Sequence, residues 1–253
     1  MRTVFADCRF DLDDPPAARR RYLEGHIPGA VFLDLDADLS DKAVQGHGRH
    51  PLPGPELFAA TMTRNGIGPG VLVVAYDDGT LSGASRLWWT LRHYGHTDVA
   101  VLHGGLSAWR GGPLARGEEP APEPPPAPFV ARPRTGDTIT ADEIAARLDD
   151  PGLLLLDARA PARWRGEVEP RDPRKGRIPG ALNTPYADPA IPEAALAAAL
   201  DPSVEVACYC GSGVSACVTL LRLHEAGRDE GRLYVGSWSD WSQRPELPIQ
   251  TGL

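Results

Sequence analysis

The 253-residue chain is short of several things, and each shortage narrows what it can be. No apolar run approaches the roughly 18 residues that a membrane-spanning helix needs. The N-terminal stretch MRTVFADCRF lacks the basic-then-apolar layout of a secretory signal. Both absences point to a cytoplasmic protein, whose mere four cysteines are then thiols rather than staples. Positive charge is scarce too: 26 Lys and Arg against 34 Asp and Glu leave a net charge of −8. No global basic field is available to hold nucleic acid or an anionic membrane surface, although local patches stay open. No cysteine–histidine spacing suggests a metal site, and neither a metal nor an organic cofactor is expected. What is present is ordinary for a globular protein: 42% hydrophobic and 24% charged residues, enough for one large domain or two of common size.

Internal similarity decides between one domain and two. The segment 25-GHIPGA-30 returns as 176-GRIPGA-181, and 6-ADCR-9 returns as 156-LDAR-159 with Asp7 and Arg9 falling on Asp157 and Arg159. Downstream, 103-HGGLSAW-109 matches 235-VGSWSDW-241. Three matches in one order mean two copies of one unit. Between them 116-RGEEPAPEPPPAPFVARPRTG-136 is rich in Pro and Glu and reads as a stiff extended connector strapped along the surface. The expected domains are therefore 1–115 and 137–253, with a linker over 116–136.

Each copy alternates short apolar runs with helical stretches. In the second, Thr140 followed by Glu143 predicts a capping box opening a helix over 140–148. The run 153-LLLLDAR-159 reads as a buried parallel strand, followed by a helix over 193–200, a strand over 203–209, a helix over 216–227 closed by Gly227, and a strand over 232–236. Such alternation predicts an α/β fold with a mostly parallel sheet in each copy. Nothing precedes Val4 to match the 140–148 helix, so the first copy either lacks it or starts further upstream.

In such sheets ligands sit at the carboxyl ends of the strands, which is where Cys210 of 207-ACYCGSGVSACV-218 falls. Backbone N–H groups of Gly211 to Ala216, at the positive end of the following helix, favour a thiolate there, and glycines at 211 and 213 let the amides curl inward. Aligning the copies sets 72-LVVAYDDGTLSGASRLWW-89 against 205-EVACYCGSGVSACVTLL-221. Tyr76 falls on Tyr209, and Asp77 stands where the second copy has Cys210. A thiol needed only for packing would be replaced by something apolar, not by aspartate. The second copy reads as catalytic, and the first as a scaffold closing over it.

A thiolate in an amide loop could serve phosphate-ester cleavage, arsenate reduction or sulfur transfer. Cysteine phosphatases need an arginine about six positions after the nucleophile to grip phosphate; here that place is Ala216. Sulfur transfer asks only for a thiolate and a ring of donors to hold the charge of a persulfide. The remaining cysteines, Cys8, Cys208 and Cys217, read as core thiols, with a redox partnership of Cys208 and Cys210 as the lesser reading. The tryptophans at 88, 89 and 109 read as first-copy core or interface, and Trp238 and Trp241 as packing or pocket wall.

The duplicated plan, the two IPGA segments, 229-DEGRLYVGSWSDW-241 and the loop from Cys210 to Ala216 resemble the rhodanese family, in particular its 3-mercaptopyruvate sulfurtransferase branch. That branch usually writes the loop CGSGVTA; Ser215 replaces threonine and keeps the hydroxyl. The resemblance covers nearly the whole chain. It implies that Cys210 carries sulfur as a persulfide, from a small-molecule donor to cyanide or to a thiol acceptor such as thioredoxin or glutathione. It also implies that Gly211, Gly213, Val214 and Ser215 line the donor site. Two arginines would bind the donor's carboxylate and ketone, and the matching positions are Arg163 and Arg171 in 162-ARWRGEVEPRDPRKGRIPG-180. Without the resemblance this charge-dense loop would read as a solvated face. Ser212 and Asp36 of 33-LDLD-36 are implied to assist by hydrogen bonding, with His50 of 49-RHPLP-53 at the interface of the two domains. Thiosulfate as donor ranks second, because a small dianion suits cationic loop residues better than Gly211 and Ser212. A non-catalytic sulfur carrier or binding module is the reading from another class.

Overall fold

The computed structural model describes residues 2–44, 46 and 48–252. The chain divides into two compact units, one of Met1–Asp41 with Leu52–Arg134 and one of Lys42–Pro51 with Thr135–Leu253. This differs from the expected division in two places. The proline-rich stretch belongs to the first unit as far as Arg134, and a ten-residue segment of the N-terminal half belongs to the second.

In the first unit β1 (Arg2–Asp7), β2 (Val31–Phe32), β3 (Val71–Tyr76) and β4 (Val99–Val101) form a parallel sheet in the order β2-β1-β3-β4. Helices α1 (Pro15–Glu24), α2 (Pro55–Arg64) and α3 (Ser82–His93) make the connections. In the second unit β5 (Leu153–Asp157), β6 (Leu182–Asn183), β7 (Glu205–Tyr209) and β8 (Gly231–Leu233) repeat the order as β6-β5-β7-β8. They are accompanied by α4 (Ala141–Ala145), α5 (Pro161–Trp164), α6 (Glu193–Ala199), α7 (Ala216–Glu225) and α8 (Ser237–Trp241). The central strands are near-continuous aliphatic runs because helices cover both faces of a parallel sheet.

Local signals explain where the helices start and stop. Thr140 Oγ1 accepts from the Glu143 N–H at 3.2 Å while Glu143 Oε2 accepts from the Thr140 N–H at 2.8 Å, a complete capping box. Gly227, at φ +91°, ends α7 with the Gly227 N–H on the His224 carbonyl and the Arg228 N–H on the Leu223 carbonyl. The observed helices α4 and α6 stop short of the expected 148 and 200, and β8 ends at Leu233 instead of 236. The proline-rich segment is anchored along the first unit. Phe129 is buried with its N–H on Thr63 Oγ1 at 2.9 Å, and Glu119 accepts from the Gly29 N–H at 2.7 Å.

The repeated motif has one structural meaning in both copies. Arg9 Nη2 donates to Asp7 at 2.6 Å and to the Gly25 carbonyl at 2.9 Å. Arg159 Nη2 donates to Asp157 at 2.6 Å and to the Gly176 carbonyl at 2.7 Å. The Tyr76 hydroxyl accepts from the Ile27 N–H at 3.2 Å, and the Tyr209 hydroxyl accepts from the Ile178 N–H at 3.1 Å. A buried ion pair and a buried phenol thus fasten each IPGA turn to the sheet. In the second unit Arg159 also lies 4.4 Å from the Trp238 ring, which joins Trp241, Tyr234 and Ile178 in the core rather than lining an opening. Replacing Arg159 with Met leaves Asp157 buried and unpaired. Denaturant unfolding should show a loss of about 3–5 kcal/mol in the second unit, and a loss below about 1 kcal/mol would refute this role for the pair.

Candidate active site

Cys210 is the first residue after β7 and is 1% exposed. Its N–H donates to Ser237 Oγ at 3.1 Å and its carbonyl accepts from the Trp238 N–H at 2.9 Å, while the Gly211 carbonyl accepts from the Ser239 N–H at 2.9 Å. Ser237 holds this position from a left-handed backbone, φ 53°, which a non-glycine residue rarely adopts. The turn entering α8 therefore clamps the Cys210 backbone on both sides. Gly213 is required twice over: its φ is +76°, and a Cβ there would stand 2.5 Å from the Val235 carbonyl oxygen. Val214 is buried, and Ser215 is half-buried at the head of α7 with no side-chain cap bond.

Among the described residues, the N–H groups of Gly211, Ser212, Val214, Ser215 and Ala216 have no protein acceptor. A buried donor left unmet costs about 1–3 kcal/mol. A run of them at the N-terminus of a ten-residue helix is a seat for an anion. The first unit shows the same seat filled. Asp77, 2% exposed, accepts from the N–H groups of Gly79 at 2.8 Å, Leu81 at 3.1 Å, Gly83 at 3.1 Å and Ala84 at 3.3 Å. Its carboxylate occupies the loop that in the second unit curls behind a thiol. Leu81 takes a left-handed φ of 64° to bring its amide to that carboxylate.

Charge reaches the second loop from outside it. A Cβ on Gly211 would stand 3.2 Å from Arg49 Nη2 and 3.3 Å from Arg163 Nη1. Arg163 donates through Nε and Nη2 to Glu169 at 3.1 and 2.6 Å, and through Nη2 to Asp172 Oδ2 at 3.2 Å. Arg49 pairs through Nη1 with Asp172 Oδ1, and its Nη2 donates to the Gly211 carbonyl at 3.3 Å. The side chains of Glu169 and Asp172 are only 1% and 2% exposed. Burial pushes the Asp172 carboxyl above its usual range, against the pull of Arg49 and Arg163.

The structure brings together Cys210, Gly211, Ser212, Gly213, Val214 and Ser215 on one loop. It adds Arg163 beside Gly211 and His50 against Ser212, whose Oγ shares a 2.8 Å hydrogen bond with His50 Nδ1. Arg171 is exposed, with its backbone N–H on Glu169 Oε1 at 3.2 Å. Asp36 lies in the first unit on the turn after β2, half-buried, its N–H donating to Asp34 Oδ1 at 2.8 Å. Sequence reasoning missed Arg49, although its neighbour His50 was singled out, and it missed Glu169 and Asp172, which a charge-dense loop disguises as solvated. Cys208 and Cys217 are buried core thiols, and burial, with Cys217 and Cys210 nearby, pushes the Cys208 thiol up and away from reactivity.

A family model for the rhodanese-like domain matches residues 2–111 and 140–244. A Pseudomonas aeruginosa protein bearing the name "Probable 3-mercaptopyruvate sulfurtransferase" is 44% identical, over 97% of this chain and 91% of its own. A Mycobacterium tuberculosis protein named for thiosulfate sulfurtransferase activity is 40% identical, over 97% of this chain and 90% of its own. The crystal structure of SseA from Escherichia coli, described as a 3-mercaptopyruvate sulfotransferase, superposes with a TM-score of 0.76. It is 33% identical and covers 94% of this chain and 93% of that one.

The filled seat of the first unit makes a quantitative prediction. Asp77→Ala removes the acceptor of four amides, and thermal or denaturant unfolding should show the first unit destabilised by at least about 3 kcal/mol, since charged hydrogen bonds contribute ~1.5–3 kcal/mol each. An unchanged midpoint would mean that these contacts carry no weight.

Proposed function

The chain belongs to the rhodanese family as a two-domain sulfurtransferase, and we propose that it moves sulfur from 3-mercaptopyruvate to a thiol or to cyanide through a persulfide on Cys210. The observation that carries this reading is the pairing of an intact thiol with a run of amides that lack acceptors, where the other copy fills the same seat with its own carboxylate. The second unit is the catalytic one and the first the non-catalytic scaffold, acting in the reducing cytoplasm. No described helix is long and apolar enough to cross a membrane.

The Cys210 thiolate attacks the donor's sulfur. The C–S bond breaks and its electron pair goes to the adjacent carbon as the enolate of pyruvate, which takes up the proton that the donor thiol releases. One sulfur atom is left on Cys210, pyruvate departs, and no outside oxidant or reductant enters. Ser212, hydrogen-bonded to His50, carries that proton. The N–H groups of Gly211, Val214 and Ser215, on a backbone that Gly213 turns, hold the negative charge of the outer sulfur. An acceptor thiolate such as glutathione or thioredoxin then takes that sulfur, and the S–S electron pair returns to Cys210. Arg163, with Arg171 after it on the same loop, meets the donor's carboxylate and ketone, for which the planar guanidinium fork is suited.

Thiosulfate as donor is the second reading, favoured by the two guanidinium groups flanking Gly211 and by the name of the Mycobacterium tuberculosis relative. Steady-state kinetics with each donor and with cyanide or a dithiol as acceptor separate the two. The expected result is a kcat/KM for 3-mercaptopyruvate at least about 100-fold above that for thiosulfate, a gap of about 2.7 kcal/mol, and loss of turnover in Cys210→Ser. The reverse preference would overturn the donor assignment, and no turnover with either would favour a sulfur-carrying or binding module.

A further inference from the structure

Resting on the reading that Cys210 takes sulfur from an anionic donor, we propose that Arg49 is a donor-binding residue, and that Asp172 is the positioning residue that aims Arg49 and Arg163 at the same anion. Asp172 gives one carboxylate oxygen to each arginine, Oδ1 to Arg49 Nη1 and Oδ2 to Arg163 Nη2. That leaves the other terminal nitrogen of each fork, Arg49 Nη2 and Arg163 Nη1, and these are the two atoms that a Cβ on Gly211 would meet first. Two cationic N–H edges thus converge on Gly211, the residue next to Cys210.

The remaining bonds of the cluster fit this role. Arg163 Nε and Nη2 are committed to buried Glu169, which itself accepts from Arg159 Nη1 at 3.3 Å. Among the described residues, Arg49 Nη2 makes a single bond, 3.3 Å to the Gly211 carbonyl, at the long end for an N–H donor, which an arriving carboxylate can readily replace. The backbone beneath Arg49 is held in place. Its N–H donates to Ser239 Oγ at 3.1 Å, and its carbonyl accepts from Lys42 Nζ at 2.9 Å. Next to it Gly48, at φ +81°, approaches α8 so closely that a Cβ would stand 2.4 Å from the Gly236 carbonyl oxygen. A segment of the N-terminal half therefore delivers a guanidinium group to the catalytic unit, and the loop itself needs no cationic residue after Cys210. A Cβ at position 211 would crowd both nitrogens, which would have to give by a few tenths of an ångström.

Alkylation of Cys210 in the full-length protein tests the clamp without using turnover. Iodoacetate and iodoacetamide form the same S–C bond and release iodide, but only the first carries a carboxylate. Rates are read on the Cys210 peptide by mass spectrometry. In Arg49→Met the ratio of iodoacetate to iodoacetamide rates should fall by about tenfold or more, the equivalent of one charged hydrogen bond. Arg49→Lys should lose part of it, Asp172→Asn should lower it as well, and Lys175→Met, which removes a charge from the same loop, should leave it alone. An unchanged ratio in Arg49→Met, or equal slowing of both reagents, would overturn the proposal. Turnover of 3-mercaptopyruvate by the unaltered protein tests the donor reading separately, so a responsive ratio with no turnover would sink that reading and leave the clamp standing.

Discussion

A buried backbone N–H must find an acceptor, and in both halves of this protein the chain makes a turn after its central strand that leaves several such groups without a backbone acceptor. The rest of the site follows from how that demand is met. Asp77 meets it internally, with four amides on one carboxylate, and the first unit thereby has an anion fixed in its own loop. Cys210 does not meet it, and among the described residues the amides of Gly211, Ser212, Val214, Ser215 and Ala216 have no protein acceptor. One residue type at one position separates a loop that carries its own acceptor from a loop that does not, on the same topology.

Holding an open anion seat next to a buried thiol requires charge nearby that does not collapse into it. The second unit arranges this through alternation: Asp157, Arg159, Glu169, Arg163, Asp172 and Arg49 succeed one another, each ion paired to the next. Buried ion pairs of this kind add little net stability, and what they contribute is orientation. The carboxylates fix the direction of the forks, so that the nitrogens left over point toward Gly211. The chain that begins at the IPGA-fastening pair of the fold thus ends at Gly211, beside Cys210, which ties the fastening of that turn to the geometry of the loop.

Much of this was legible in the sequence because it depends on short-range chemistry. The Thr140–Glu143 capping box, the glycine that ends α7, the aliphatic central strands and the duplicated Asp-x-Arg and IPGA elements each carry their cause within a few residues. The Cys210 loop was legible for the same reason. What escaped depends on distance along the chain. Arg49 and Asp172 are 123 positions apart, and no local pattern marks the segment Lys42–Pro51 as part of the second unit. Glu169 and Asp172 sit in a loop so rich in charge that its composition argues for solvent, yet the partners that bury them come from elsewhere. Asp77 was read as the loss of a nucleophile; that it is the occupant of the seat needed coordinates.

The central claim is that the seat behind Cys210 exists to hold a sulfur-borne charge. Intact-protein and peptide mass spectrometry after exposure to 3-mercaptopyruvate, with no acceptor present, tests it most directly. The account predicts the mass of one added sulfur atom on the Cys210 peptide alone, removed again by a thiol. Sulfur found on another cysteine, or a Cys210 peptide unchanged while pyruvate appears, would contradict it.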